Sequence, residues 1–138
     1  LRFLLDTNVI SELRKKTRCD PGVAAWFARA QPEDVYLSVM TLGELRKGIE
    51  SVRRRDPLRA ETLSAWLDEL VAVYADRLLP VDQDTADEWG RFGIPDPLPV
   101  VDGLLAATAK VNGLVLVTRN TKDVQRANID CLNPFGHP

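Results

Sequence analysis

Asp6, Glu44 and Asp102 each stand where an apolar segment gives way to a helical one. Asp6 ends the apolar run of FLLDTNVIS, residues 3 to 11, and is followed at once by Thr7 and Asn8. Carboxylates that converge repel one another, and their proton affinity rises unless a cation joins them. Oxygen ligands of this kind suit Mg2+ or Mn2+, which keep several of their waters. An ion so held can polarise a phosphoryl oxygen and lower the pKa of a bound water, so phosphodiester hydrolysis is the natural chemistry. Each acid also has a plainer reading. Asp, Thr and Asn begin helices, and SELRKK follows; Glu44 and Asp102 fall in first helical turns, where the helix dipole favours an acid.

Other chemistries are poorly supplied. The single histidine, His137, sits in a tail with Pro and Gly, which excludes histidine-dependent triads and histidine-rich zinc sites. Cys19 and Cys131 lack metal-ligand spacing and read as reduced packing residues. Catalysis must therefore come from carboxylates, hydroxyls, amides or a metal.

The chain has 138 residues, 45% hydrophobic and 28% charged, the balance of one globular domain. That domain is expected over residues 1–134, with 135–138 as a tail. No apolar run approaches the roughly 20 residues of a membrane span, and the start reads as a strand rather than a secretory signal, so a cytoplasmic protein is expected. Net charge is −2, yet basic residues cluster at Arg14, Lys15, Lys16 and Arg18, at Arg46 and Lys47, and at Arg53 to Arg55. Such runs are either solvated helix ends or a local positive surface for phosphate.

Positioning these acids requires strands that end where they stand. RFLLDT, VYLSVMT (35–41), RLLPVD (77–82), LVLVT (114–118) and IDCLNP (129–134) read as strands; LVLVT lacks polar alternation, as a strand covered on both faces does. Between them, PGVAAWFARA (21–30) has Pro21 at a helix start. Leu63, Trp66, Leu67, Leu70, Val71 and Tyr74 form one apolar helical stripe. DTADEWGRF (84–92) is a helix with Asp84 as its cap, and VVDGLLAATAKVNG (100–113) stops at Asn112-Gly113. Strands alternating with helices predict a mainly parallel sheet with helices on both sides, and sites in such folds form at the carboxyl ends of strands.

Local context favours convergence. In TLGELRKGIESV, Glu44 lies beside the stripe Leu42, Leu45, Ile49 and Val52. Gly48 is stacked one turn on, and a helical glycine costs up to about 1 kcal/mol against alanine. Close approach of another segment would compensate. Asp102 is continued at i+4 and i+7 by Ala106 and Ala109, small enough to let its helix lie tightly on the sheet and push Asp102 towards the strand ends.

FLLDTNVISELRKK, VYLSVMTLGELRKG, DGLLAATAK, LVTRN and LNPF, in this order along nearly the whole chain, resemble the signature blocks of the PIN-domain ribonucleases, most closely the VapC toxins and their FitB-like branch. The resemblance implies a three-layer α/β sandwich with a five-stranded parallel sheet, a homodimer, Mg2+- or Mn2+-dependent cleavage of RNA, and inhibition by a VapB-like antitoxin. It places Asp6, Glu44 and Asp102 on the family's acidic triad, with Asp6 and Asp102 as direct metal ligands and Glu44 holding a metal-bound water or a second ion. Asn120 falls where many relatives carry a fourth acid, which puts a second metal in question. Asp123 is a substitute for it or an ordinary helix-start acid.

Thr7, Asn8, Ser38 and Thr118 are candidates for hydrogen bonds that orient the carboxylates, or else caps and turns. Arg46, Arg119 and Lys122 are candidates for contacts with an RNA backbone. RFGIPDPLPVVDG has three prolines where relatives often have a longer basic helix, so the substrate groove is expected to differ. The alternatives to a ribonuclease toxin are a structure-selective DNA nuclease with the same acids and ions, and a non-catalytic PIN-like binding protein.

Overall fold

Neighbouring residues of the central strands point into different cores, and this decides the layering. The computed structural model describes residues 1–92 and 96–136. In β1 (Phe3–Leu5), Leu4 joins one apolar cluster and Leu5 another; in β4 (Val115–Val117), Leu116 and Val117 divide the same way. All four are buried, so the sheet is covered on both faces, as the unbroken LVLVT run implies. Fully burying a leucine or valine contributes about 1.5–3 kcal/mol, so these two strands anchor the domain.

With β2 (Val35–Ser38), β3 (Leu78–Leu79) and β5 (Cys131–Leu132), the order is β3-β2-β1-β4-β5, and every pairing is parallel. β1 is central: Phe3 lies opposite Val35 on one side and Val115 on the other. The connections run outward in opposite directions from β1, which leaves a crevice at its carboxyl end.

Among the described residues seven α-helices flank the sheet: α1 (Thr7–Leu13), α2 (Pro21–Arg29), α3 (Val39–Arg53), α4 (Pro57–Val73), α5 (Gln83–Gly90), α6 (Val100–Asn112) and α7 (Thr121–Gln125). Leu105, Ala106 and Ala109 of α6 and Val124 of α7 cover one face; Val9 and Ile10 of α1 and Val23 of α2 cover the other. The alanines of α6 are fully buried, as their small size below Asp102 predicts. The α4 stripe packs on Leu42, Leu45, Ile49 and Val52 of α3. α6 stops at Gly113, whose φ of 67° is left-handed and open to glycine. Cys19 and Cys131 are free thiols. No described helix is long and apolar enough to cross a membrane.

Four expectations are corrected. β2 ends at Ser38 rather than Thr41, because the Ser38 hydroxyl accepts the Met40 N–H at 3.0 Å and starts α3 at Val39. Glu44 therefore lies in the second turn, beyond reach of a first-turn dipole argument. No atom outside the local helix comes within 4 Å of a Cβ built on Gly48, so no segment packs closely there. The cap of α5 is Asp82 rather than Asp84, since Asp82 accepts both the N–H and the hydroxyl of buried Thr85, and the helix ends at Gly90 rather than Phe92. Gly93, Ile94 and Pro95 of the proline-rich stretch, and His137 and Pro138, lie outside the described residues.

Candidate active site

Asp6 is both a helix cap and the centre of a polar cluster, so its two sequence readings are compatible. Its backbone N–H donates to Val117 O at 2.9 Å, which fixes the end of β1 against β4. Its Oδ1 accepts the Thr7 N–H at 2.7 Å, and its Oδ2 accepts the Thr118 hydroxyl at 2.8 Å and the Asn8 amide at 3.3 Å. Burial pushes the Asp6 carboxyl above its usual range, with repulsion from Glu44 adding to it, although the Thr118, Thr7 and Asn8 donors pull the other way.

Asp102, in the first turn of α6, shares a small hollow with Asp6, Asn120 and Asp123, floored by Leu105, Leu116 and Val124. The hollow offers about 10 Å³, room for one water-sized particle. Burial raises the Asp102 carboxyl first, and the charges of Asp6, Glu44 and Asp123 raise it further. No Lys or Arg lines this hollow among the described residues. Nor do any three described Asp, Glu, His or Cys residues stand close enough together to enclose an ion by themselves. An ion here would take two carboxylates and complete its shell with water, a donor set of hard oxygens that fits Mg2+ or Mn2+.

Glu44 faces an adjacent hollow of about 220 Å³, lined also by Thr7, Ser11, Arg14, Gly48, Arg59 and Trp66. Thr7 bonds to an acid of each hollow: its hydroxyl donates to Glu44 Oε1 at 2.5 Å and its N–H donates to Asp6 Oδ1. Open space over Gly48 forms part of this second hollow, which is the structural counterpart of its missing side chain.

On the other side, Asn120 N–H donates to Thr118 Oγ1 at 3.1 Å, and its side chain makes no cap bond to α7. Asn120 and Asp123 also border a third hollow of about 370 Å³ with Arg119, Thr121, Lys122 and Asn133. Asn8 ties this rim to the centre, accepting the Arg119 N–H at 3.3 Å with its Oδ1. Arg46 is elsewhere: it donates to Ser64 of α4 at 3.0 Å and reaches Glu50 and Asp68 at 3.8 and 3.9 Å. Ser38 caps α3 and makes no bond to the acids among the described residues.

Two residues at the rim are absent from the sequence reading as actors. Phe135 lies under Arg119, with the guanidinium carbon 4.2 Å from the ring centroid. Asp20 Oδ2 accepts the N–H groups of Val23 and Gly136, both at 3.0 Å, and so joins the start of α2 to the C-terminal segment. The Asp-Pro-Gly cap at 20–22 and the LNPF run are the signals that bear on them.

The PIN domain family profile matches residues 3–129. The chain is 33% identical to VapC ribonuclease Y4jK of Sinorhizobium fredii over 140 residues, covering 96% of this chain and 97% of that protein. It is 34% identical to Toxin FitB of Neisseria gonorrhoeae, covering 96% and 98%. The crystal structure of FitAcB from Neisseria gonorrhoeae superposes with a TM-score of 0.86 at 33% identity, over 96% of this chain and 97% of that one. With the sheet order and the acids at its carboxyl edge, these likenesses settle the family: the chain belongs to the PIN domain family, in the group of the VapC and FitB toxins.

Proposed function

We propose that the chain is the toxin of a toxin-antitoxin pair and acts as a metal-dependent endoribonuclease. The observation that carries this reading is the meeting of Asp6 and Asp102 in one small hollow whose described lining holds no basic side chain. Both carboxyls are raised by burial and by neighbouring negative charge, so a cation would relieve the site. Asp6 and Asp102 would hold Mg2+ or Mn2+ directly, and Glu44 would hold a water of that ion. Such an ion, when bound, polarises a phosphoryl oxygen and acidifies water. Thr118 and Asn8 keep the Asp6 carboxylate aimed into the hollow, Thr7 orients Glu44, and Asn120 offers an amide that holds a water where a fourth acid would stand.

Relatives named as a VapC ribonuclease and as a toxin support RNA as the substrate. On the same likeness the chain works in the cytoplasm as a homodimer and is silenced by a VapB-like antitoxin. The test is cleavage of total RNA by purified, antitoxin-free protein with Mg2+, Mn2+ or chelator, beside Asp6→Asn and Asp102→Asn. Metal-dependent cuts that vanish in both variants are expected. A folded, metal-replete wild type that cuts nothing sinks the reading, and cuts shared by both variants belong to a contaminant.

A further inference from the structure

The acidic hollow and the 370 Å³ hollow beside it share Asn120 and Asp123 but differ in charge, because Arg119 and Lys122 border only the second. Among the described residues neither cation lies within ion-pair distance of a carboxylate; Asp20 is the carboxyl that Arg119 influences, from beyond that distance. No side-chain N–H of Arg119 has a hydrogen-bond partner among the described residues. Yet its guanidinium is held, over the ring of Phe135. Stacking fixes a guanidinium while leaving its N–H donors free for an outside acceptor.

Everything beneath this pair is tied down. The Phe135 N–H donates to Asn133 Oδ1 at 3.0 Å, the Gly136 N–H donates to Asp20, and Gly136 O accepts the Gly22 N–H at 2.8 Å. The Arg119 backbone is bound through Asn8 to Asp6 itself. A nucleic-acid strand approaching three acids is repelled, and an ion at Asp6 and Asp102 offsets this at one phosphate only. The neighbouring phosphate needs a cation supplied by the protein, one hollow along.

We infer that Arg119, stacked on Phe135, binds the phosphodiester next to the one at the carboxylates, with Lys122 adding charge and Phe135 acting as a positioning residue. The inference rests on the nuclease reading and names part of its substrate groove. Guanidinium is suited to phosphate because its fork of donors matches two oxygens.

The test uses full-length protein carrying Asp6→Asn, so that nothing is cut, and a fluorescent mixed-sequence 20-nucleotide RNA or its DNA counterpart at several salt concentrations. Adding Arg119→Ala is expected to weaken binding about 10-fold and to lessen the salt slope by about 0.7, the value of one phosphate on a single strand. Phe135→Leu should give a smaller loss and Phe135→Trp should restore binding, with thermal unfolding checked for each. The contact is to phosphate, so RNA and DNA should lose affinity by the same factor. An unchanged affinity and slope in Arg119→Ala overturns the inference even if the wild type cuts RNA. A loss confined to RNA overturns it too, since the contact would then be to a base or a 2′-hydroxyl. Binding that depends on Arg119 in a wild type that cuts nothing supports the phosphate site and sinks only the nuclease reading.

Discussion

Thr7 Oγ1 lies 2.5 Å from Glu44 Oε1, joining the first residue of α1 to the second turn of α3 across 37 positions of sequence. The same residue gives its backbone N–H to Asp6. One threonine thus sets the mutual placement of two acids on different elements. Removing its hydroxyl frees the Glu44 carboxylate to rotate. Thr7→Val is therefore expected to slow RNA cleavage about 10–100-fold, the range for partners that orient site carboxylates, while Thr7→Ser keeps most activity. Equal rates for Thr7→Val and wild type would reduce the bond to a packing detail.

Burial makes the charge of Asp102 costly, and repulsion from Asp6, Glu44 and Asp123 adds to that cost. Neutralising it relieves both. Without divalent metal, Asp102→Asn should unfold at a higher temperature than wild type, and added Mg2+ or Mn2+ should stabilise the wild type much more than the variant. For a ligand bound only by the folded chain, a hundredfold excess over Kd is worth about 2.7 kcal/mol. Calorimetry with chelator and with metal gives both comparisons, and a lower metal-free midpoint in Asp102→Asn would contradict this account.

How much of this was legible in the sequence depends on how local each feature is. Asp6 and Asp102 could be placed because a strand exit and a first helical turn are written in adjacent residues. The turn that holds Glu44 is harder to read: Val39 and Thr41 have β-forming character, and the Ser38 cap overrides it. Asp82 and Asp84 are both plausible caps, and only the burial of Thr85 chooses between them. Arg46 reads as a candidate for phosphate because nothing local announces that α4 folds back onto it. The Arg119 and Phe135 pair depends on the path of the chain after β5, which no periodicity reports.

Gly22 marks where that path is pinned. A Cβ added there would sit 2.4 Å from Pro134 O and 2.6 Å from Gly136 O, both backbone atoms that cannot turn aside. Gly22→Ala should therefore destabilise the fold by about 1–3 kcal/mol, as overpacking does. Urea unfolding measures the loss. Because the displaced segment carries Phe135, the variant should also bind RNA less tightly than its stability alone explains.

Part of the acid sensitivity should trace to the cap of α5, together with Glu12, Asp20 and Glu50, whose carboxyls are likewise held down. The N–H and hydroxyl of Thr85 hold the Asp82 carboxyl below its ordinary 3.8. A carboxyl depressed in the folded chain stabilises it above the ordinary value, and that stability is lost as pH falls through the folded value. Asn caps helices about as well but does not titrate. Asp82→Asn should match the wild type near neutrality and lose less of its thermal midpoint as the pH falls below the ordinary value. Parallel curves for the two proteins would remove Asp82 from the acid response.

The strand order also fixes when the site can exist. Asp6 is synthesised well ahead of its partner, because the hydroxyl that buries with it belongs to Thr118, 112 residues later. β4 must slide in beside β1 before Asp6 meets that donor or shares a hollow with Asp102. Arg119 waits longer still, for the segment after β5 to bring Phe135 beneath it. A growing chain on the ribosome therefore carries Asp6 without its partners until β4 has emerged, and any cleavage of RNA under the proposed function is withheld until β4 and β5 dock.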